Sequence, residues 1–437
     1  MADRRRHEQV SAVEAGRSGS LDILVISQFF SPEMGAPAAR FHDFGRLLVE
    51  RGHRVRVVTG FPNSPSGVVP EAYRGRLVQS EVIDGIEVLR GWLFASPRLS
   101  PLTKSLAFAS FAASASLRVL AMRRRPDVVI ATSPPPTVGI PGILASRWLR
   151  APMIFDVRDI WPEAIALSGR LRSRPLIRAL EAVERAVYRA SAAVTVVTEG
   201  KRKRLIEKGV PEEKLAVIPN GVDLSRFDRV DDAGRDLLRA AGVDPGRFVV
   251  CYAGIFNPPQ GLDILIDAAA RLRDRHPEEA RGIQIVLVGN GSERARLEGR
   301  VRDEGLSRAV VFVGEQPRER IPSILSAVDA VAVTLRPRRD SHTVPSKLYE
   351  AMASGRPVLL SADGAPAEMI QEAGAGLATP AGDVEALVAS IRRLAGDRAR
   401  AATLGRAGRE YSRRSDRRLL VDRFEDVLRR VSEATNS

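Results

Sequence analysis

A chain of 437 residues has room for two domains of about 200 residues, each able to bury its own core. Its 44% hydrophobic and 27% charged residues are globular values, and the single cysteine, Cys251, lies in an apolar run, which excludes a disulfide framework or a cysteine-based metal site. The net charge of +14 asks for an anionic partner: an acidic membrane surface, a phosphorylated small molecule or nucleic acid. Aromatic content of 5%, with no zinc-finger spacing or RRM-type motif, sets nucleic acid aside, and five scattered His without HExxH or His-x-His spacing leave no metal site.

In chain order, residues 1–20 carry Arg4-Arg5-Arg6 with no apolar segment behind them and read as a disordered basic arm, not a secretory signal. From residue 21 short apolar runs alternate with longer helical stretches, the pattern of a parallel sheet with helical crossovers. The spacing predicts strands at 21–26, 55–59, 86–89, 128–131, 153–156 and 194–197, with a helix over 38–51 that carries Phe41, Phe44, Leu47 and Leu48. Gly35 sits in the first strand-to-helix loop, where a glycine lets backbone approach a phosphate. Residues 106–122 are apolar, hold Arg118 and end in Arg123-Arg124-Arg125. They are too weakly hydrophobic for a spanning helix and read either as an amphipathic helix packed on its own domain or as one lying on a membrane. After the strand at 153–156 come Asp156, Arg158, Asp159, Trp161 and Glu163, a polar pocket by one reading and a helix N-cap among charges by the other.

A basic helix at 201–209 and the turn Ile218-Pro219-Asn220-Gly221-Val222-Asp223 read as a connector or hinge. A second alternating set follows at 248–253, 283–288, 310–313, 328–335, 357–360 and near 377. Three of its strand ends converge on one edge of the sheet: the loop from Gly254 to Gln260 and Gly261, the loop Gly289-Asn290-Gly291, and residues 340–357, where Pro345 and Ser346 open a helix. Lys347, one of six Lys in the chain, then stands in the first turn, where a cation opposes the helix dipole unless an anion receives it. Glu350 shares its face and is suited to the vicinal hydroxyls of a ribose; the plain alternative is a surface i,i+3 ion pair. Residues 384–431 are helical and Arg-rich, long enough to cross back to the first domain.

The stretches Gly52-His53-Arg54-Val55, Ile218 to Asp223, Val288-Gly289-Asn290-Gly291 and Glu350 to Val358 make the chain resemble glycosyltransferase family 4 over about residues 21–400. The FSPE, DxRDxWPE, QGL and VPSKLYE pieces resemble its branch for bacterial O-antigen, capsule and colanic-acid-type polysaccharides. The resemblance implies an α/β GT-B fold, two facing doubly wound Rossmann-like domains with a cleft between them: an acceptor-side domain at 21–200, a nucleotide-sugar domain at 201–400, and C-terminal helices at 401–437. It implies a retaining, metal-independent transfer of an N-acetylated amino sugar from a UDP-linked donor to a polyprenyl-diphosphate-linked saccharide, without a cofactor, in the cytoplasm at the inner face of the membrane. Gly35, Gly254, Gln260, Gly289, Gly291, Ser346 and Glu350 would bind substrate, while Asp159, Arg158 and Lys347 would serve the chemistry. Two departures stand out. His342 occupies the place of the first Glu in the family's E-x7-E pair, and Ile255 and Gln260 stand where an Arg and a Lys usually hold the pyrophosphate, which leaves Lys347 to supply the cation. A GT-B-like 2-epimerase and a non-catalytic membrane-bound scaffold are the alternatives.

Overall fold

The computed structural model describes residues 19–33, 35–64, 66–98, 100–161, 163, 174–228, 231–337 and 342–436. Most of the basic arm, and Asp340 and Ser341 of the 340–357 stretch, lie outside the described residues. The chain divides into two compact units, one of residues Met1–Arg158, Arg178–Thr195 and Phe424–Ser437, the other of Asp159–Ile177 and Val196–Arg423.

In the first unit β1 (Asp22–Ile26), β2 (Arg54–Gly60), β3 (Val78–Ile83), β4 (Ile86–Gly91), β5 (Val128–Ser133), β6 (Met153–Val157) and β7 (Ala193–Val196) run in the order β3-β4-β2-β1-β5-β6-β7. β1, β2, β4, β5 and β6 are joined by parallel pairings, and β3 runs antiparallel to β4. β1, β5 and β6 are buried along their whole length, which is why they are legible as unbroken apolar runs. β3 is the strand that the apolar pattern did not predict. It pairs on one side only and turns its own valines outward, Val78 at 55% and Val82 at 72% exposure, so the usual inward apolar alternation is inverted.

The helix expected over 38–51 spans Ala36–Glu50, with a proline in its first turn extending it backwards. Phe41 and Phe44 on its inner face meet Phe424 of the C-terminal helix at 6.3 and 5.5 Å between ring centroids. Beside them His53 is buried, accepts the Leu21 N–H at Nδ1 over 3.0 Å, and sets Nε2 3.3 Å from the buried carboxylate of Glu425. The Gly-His-Arg-Val stretch is thus a seat for the end of the chain.

At the C-terminal end of β6 the carboxylate of Asp156 is fully buried. It accepts from Arg40 Nη2 at 3.3 Å, Thr195 Oγ1 at 2.8 Å and Thr132 Oγ1 at 2.9 Å, which joins the first helix to β5, β6 and β7. Arg40 is as deeply enclosed and lies over the Phe44 ring.

The second unit holds β8 (Leu215–Val217) and a parallel sheet of β9 (Phe248–Ala253), β10 (Ile283–Val288), β11 (Val310–Val313), β12 (Ala330–Thr334), β13 (Val358–Ser361) and β14 (Gly376–Thr379), in the order β11-β10-β9-β12-β13-β14. Alternate residues feed two cores. Val249, Cys251, Val331 and Val333 pack on one face, and Phe248, Val250, Tyr252 and Ala332 on the other. Cys251 is a core residue whose thiol is pushed up to about 12 by burial.

The 218–223 turn, expected as a connector or hinge, is tied by backbone to residues 415–417. Val222 N–H donates to Ser415 O at 2.9 Å, Arg417 N–H returns to Val222 O at 2.9 Å, and Gly221, at φ 62°, leaves no room for a Cβ against Ser415 O.

Removing the Asp156 carboxylate while Arg40 stays enclosed leaves a buried charge without its partner. Asp156→Ala is therefore expected to cost about 3–5 kcal/mol of first-unit stability in urea unfolding, more than Arg40 and Asp156 replaced together by apolar residues of similar size.

Candidate active site

The C-terminal edge of the second unit's sheet carries three interlocked loops. Gly254 N–H donates to Val288 O, Phe256 N–H to Asn290 O at 2.8 Å, and Glu293 N–H to Phe256 O at 3.0 Å, so the loops after β9 and β10 are laced together by backbone. A Cβ on Gly289 would lie 2.0 Å from Gly254 O, and one on Gly291 2.3 Å from Phe256 O. Both residues have φ values, 139° and 154°, that L side chains rarely adopt. These glycines admit loop to loop, and the result is a backbone rim held in one shape.

Against that rim stands the Ser346–Ala353 helix, opened by Pro345 and lacking a side-chain N-cap. Lys347 reaches from its first turn to donate to Tyr252 Oη and Gln260 Oε1, both at 2.5 Å, and its Nζ lies 4.2 Å from the centre of the Tyr252 ring. The position of a Cβ on Gly254 would be 3.1 Å from the same nitrogen. The Tyr252 hydroxyl donates to Ile255 O at 3.1 Å, and Thr334 Oγ1 donates to the backbone carbonyl of Gln260 at 2.7 Å, so both residues are held in place. Burial among neutral partners draws the Lys347 amine down to about 7, against the pull of Glu350. The surface i,i+3 ion pair is not what forms; the amine turns to the β9 loop.

Glu350 is pushed up from the ordinary carboxylate range by burial, opposed by the charges of Arg318, Arg226 and Lys347. Glu350 lines a small recess with Asp223, Arg226, Arg318 and Arg417. It has the hydrogen-bonding capacity for a diol, and its cationic neighbours partly offset the upward push of burial.

Asp159 lies in the second unit and takes the buried ammonium of Lys201 at 3.3 Å. Lys201 belongs to the Glu199–Glu207 helix, whose N-cap Thr198 also donates through Oγ1 to His342 O at 2.9 Å. A Cβ on Gly200, two residues after the cap, would meet His342 Nδ1 at 2.8 Å, so His342 is seated on this helix start. Glu163 is gripped by Arg204 at 2.9–3.1 Å. The three carboxylates expected to share one polar pocket therefore do not. Asp156 is sealed with Arg40 and Glu163 is paired off, while Asp159 keeps 41% of its side chain exposed beside Lys201.

Arg158 and Gly35 belong to the first unit. Arg158 is buried at the end of β6, and Gly35, at φ 122°, precedes the Ala36–Glu50 helix. The Gly35 loop is anchored by Glu33, whose carboxylate accepts N–H groups from Phe30, Asn63 and Ser64 at 2.8–3.2 Å; burial nonetheless raises its pKa. Lys201, Tyr252, Arg318 and Glu33 were not singled out as site residues from sequence. Tyr252 was hidden because its strand read as core, although its hydroxyl falls at the strand's end. Among the described residues no three His, Cys, Asp or Glu side chains are grouped to hold a metal.

The arrangement is a cradle for an anion attached to a diol, as in a nucleoside diphosphate. Residues 35–221 match the glycosyl transferase 4-like domain, and residues 235–411 match the glycosyl transferases group 1 domain. A protein of Escherichia coli K12 named for colanic acid biosynthesis as a glycosyl transferase is 29% identical over 382 residues, 85% of this chain and 91% of that protein. A GDP-mannose-dependent α-(1-6)-phosphatidylinositol monomannoside mannosyltransferase of Mycolicibacterium smegmatis is 30% identical over 302 residues, 64% of this chain and 76% of that protein. Anabaena HepE, solved in complex with UDP, is 21% identical with a TM-score of 0.68, covering 93% of this chain and 99% of that one, and has the same GT-B fold. The chain belongs to the group 1, family 4-like glycosyltransferases and is an enzyme that uses a nucleotide-sugar donor.

Proposed function

We propose that this enzyme is a metal-independent, retaining glycosyltransferase that moves an N-acetylated amino sugar from a UDP-linked donor to a lipid-linked saccharide at the inner face of the cell membrane, in the making of a cell-surface polysaccharide. The observation that carries this reading is the Lys347 amine. It reaches Gln260, the position at which the family's usual pyrophosphate-binding lysine is missing, and so restores a cation from the neighbouring helix. The bond from the sugar's anomeric carbon to the diphosphate oxygen breaks with its electron pair going to the phosphate. Lys347 and the N–H groups of the Ser346 turn stabilise that charge. The acceptor hydroxyl forms the new bond on the same face and gives its proton to the departing phosphate oxygen. Glu350 holds the ribose, and Asp159, balanced by Lys201, borders the sugar. The name of the Escherichia coli relative supports a polysaccharide product, and that of the Mycolicibacterium relative supports a lipid-anchored acceptor.

The direct experiment is calorimetry with UDP- and GDP-sugars, with EDTA and then with magnesium. Metal-independent preference for UDP is expected; a preference for GDP-mannose would transfer the donor reading to that of the Mycolicibacterium enzyme, and a strict magnesium requirement would end the metal-independent one. Lys347→Ala should lower turnover by about 100- to 1000-fold. Adding Gln260→Lys to Lys347→Met should recover at least about tenfold of the loss, because the new amine starts from the residue that Lys347 already touches.

Donor binding should also take up a proton. With the free amine at about 7, a bound diphosphate favours the charged form, so the complex keeps a proton that the free enzyme loses above that pH. Affinity is expected to be flat below pH 7 and to fall by up to about tenfold per pH unit above it. Calorimetry in two buffers of different ionisation enthalpy reads the uptake directly, and Lys347→Met should abolish it.

A further inference from the structure

We propose that the outer face of the Pro101–Leu120 helix is a docking surface for an anionic lipid bilayer. The inference rests on the reading above that sets the enzyme at the membrane's inner face and names the surface that meets it; it does not depend on the acceptor being a lipid.

The helix begins with a reciprocal cap, Ser100 Oγ accepting from Thr103 N–H at 3.2 Å and Thr103 Oγ1 from Ser100 N–H at 2.9 Å. Its inner face, Phe111, Ala112, Ala115 and Val119, is buried in the first unit. A helix on the surface of a soluble domain would ordinarily turn polar residues outward. Here Leu102, Leu106, Ala109, Ala113, Leu117 and Leu120 are all exposed, at a spacing of three and four residues that lines them up along one side. Leu102 and Leu117 are each 69% exposed. From Leu102 to Leu120 the stripe runs about 27 Å, so a flat surface could touch it along its length.

The same side of the unit continues the character. Arg118 Nη2 donates to Ser80 Oγ on β3 at 3.4 Å, and the outward-facing Val78 and Val82 flank that serine on the strand's same face. Of the fourteen large apolar residues exposed among the described residues, twelve belong to the first unit. The patch is therefore local to that unit.

Charge decides what covers it. Residues 88–126 contain no Asp or Glu and seven basic residues, of which Arg98, Lys104, Arg123 and Arg125 are exposed near the stripe's two ends. A second copy packed on this face would bring like charges together, whereas anionic headgroups would neutralise them. No described helix is long and apolar enough to cross a membrane, so the helix would lie in the headgroup region.

The test is co-sedimentation of the full chain with phosphatidylcholine vesicles containing or lacking phosphatidylglycerol. Binding should require phosphatidylglycerol and weaken with salt. It should fall at least about tenfold in Leu106→Glu/Leu117→Glu and several-fold in Arg123→Gln/Arg125→Gln, with UDP-sugar affinity unchanged in both. Because Cys251 is fully buried, Leu117→Cys offers one reactive thiol for a polarity-sensitive dye, whose emission should shift to the blue on anionic vesicles. Wild-type protein that ignores anionic vesicles, a dye that does not shift, or leucine variants that sediment like wild type would overturn the proposal. A dimer that ignores vesicles and becomes monomeric in Leu106→Glu/Leu117→Glu would assign the face to a second copy instead.

Discussion

The proposed site in the second unit depends on an ammonium group held among neutral acceptors. Lys347 spends its hydrogen bonds on a tyrosine hydroxyl and a glutamine carbonyl, and Glu350, the nearest opposing charge on its own helix, draws its pKa upward without making a direct ion pair. A cation in the first turn of a helix also opposes the dipole. Burial and the dipole both disfavour the charge, and in the proposed mechanism the donor's diphosphate would meet the amine and the helix N-terminus together. The amine is thereby left without a direct carboxylate partner on its own helix.

That arrangement works only if the surrounding backbone is already in position. Gly254, Gly289 and Gly291 let the loops after β9 and β10 pack within distances a Cβ would forbid, and the hydrogen bonds from Phe256 to Asn290 and from Glu293 to Phe256 close the set. A loop rim that needs no reorganisation is what charge stabilisation in a transferase requires, because donors that must first be moved contribute less to the transition state. The glycines thus set the shape of the rim.

The first unit handles charge in the opposite way. Asp156 and Arg40 are sealed inside with two threonine hydroxyls, and Glu425 is enclosed beside His53, so its ionic groups fasten elements together. The unit's exposed surface is instead apolar and basic around the Pro101–Leu120 helix, which is hydrophobic on both faces and uses only one of them for its core.

The alternation of buried parallel strands with helices was legible from residue types alone, since a strand covered on both sides must be apolar throughout, as β1, β5 and β10 are. So were the strand-end glycines, the helix start at Ser346 and the oddity of Lys347 in its first turn, because turn and capping chemistry is local. Sequence order could not say where side chains far apart along the chain would meet. Asp156, Asp159 and Glu163 are neighbours in sequence, yet they are taken by Arg40, Lys201 and Arg204 respectively, and only the packing of distant helices decides that. β3 escaped detection because an edge strand with its valines outward has no buried face to signal it. The union of Lys347 with Tyr252 and Gln260, about ninety residues away, was likewise a product of sheet order, which sets β9 beside β12 and brings the loops at their C-terminal ends into reach of one amine.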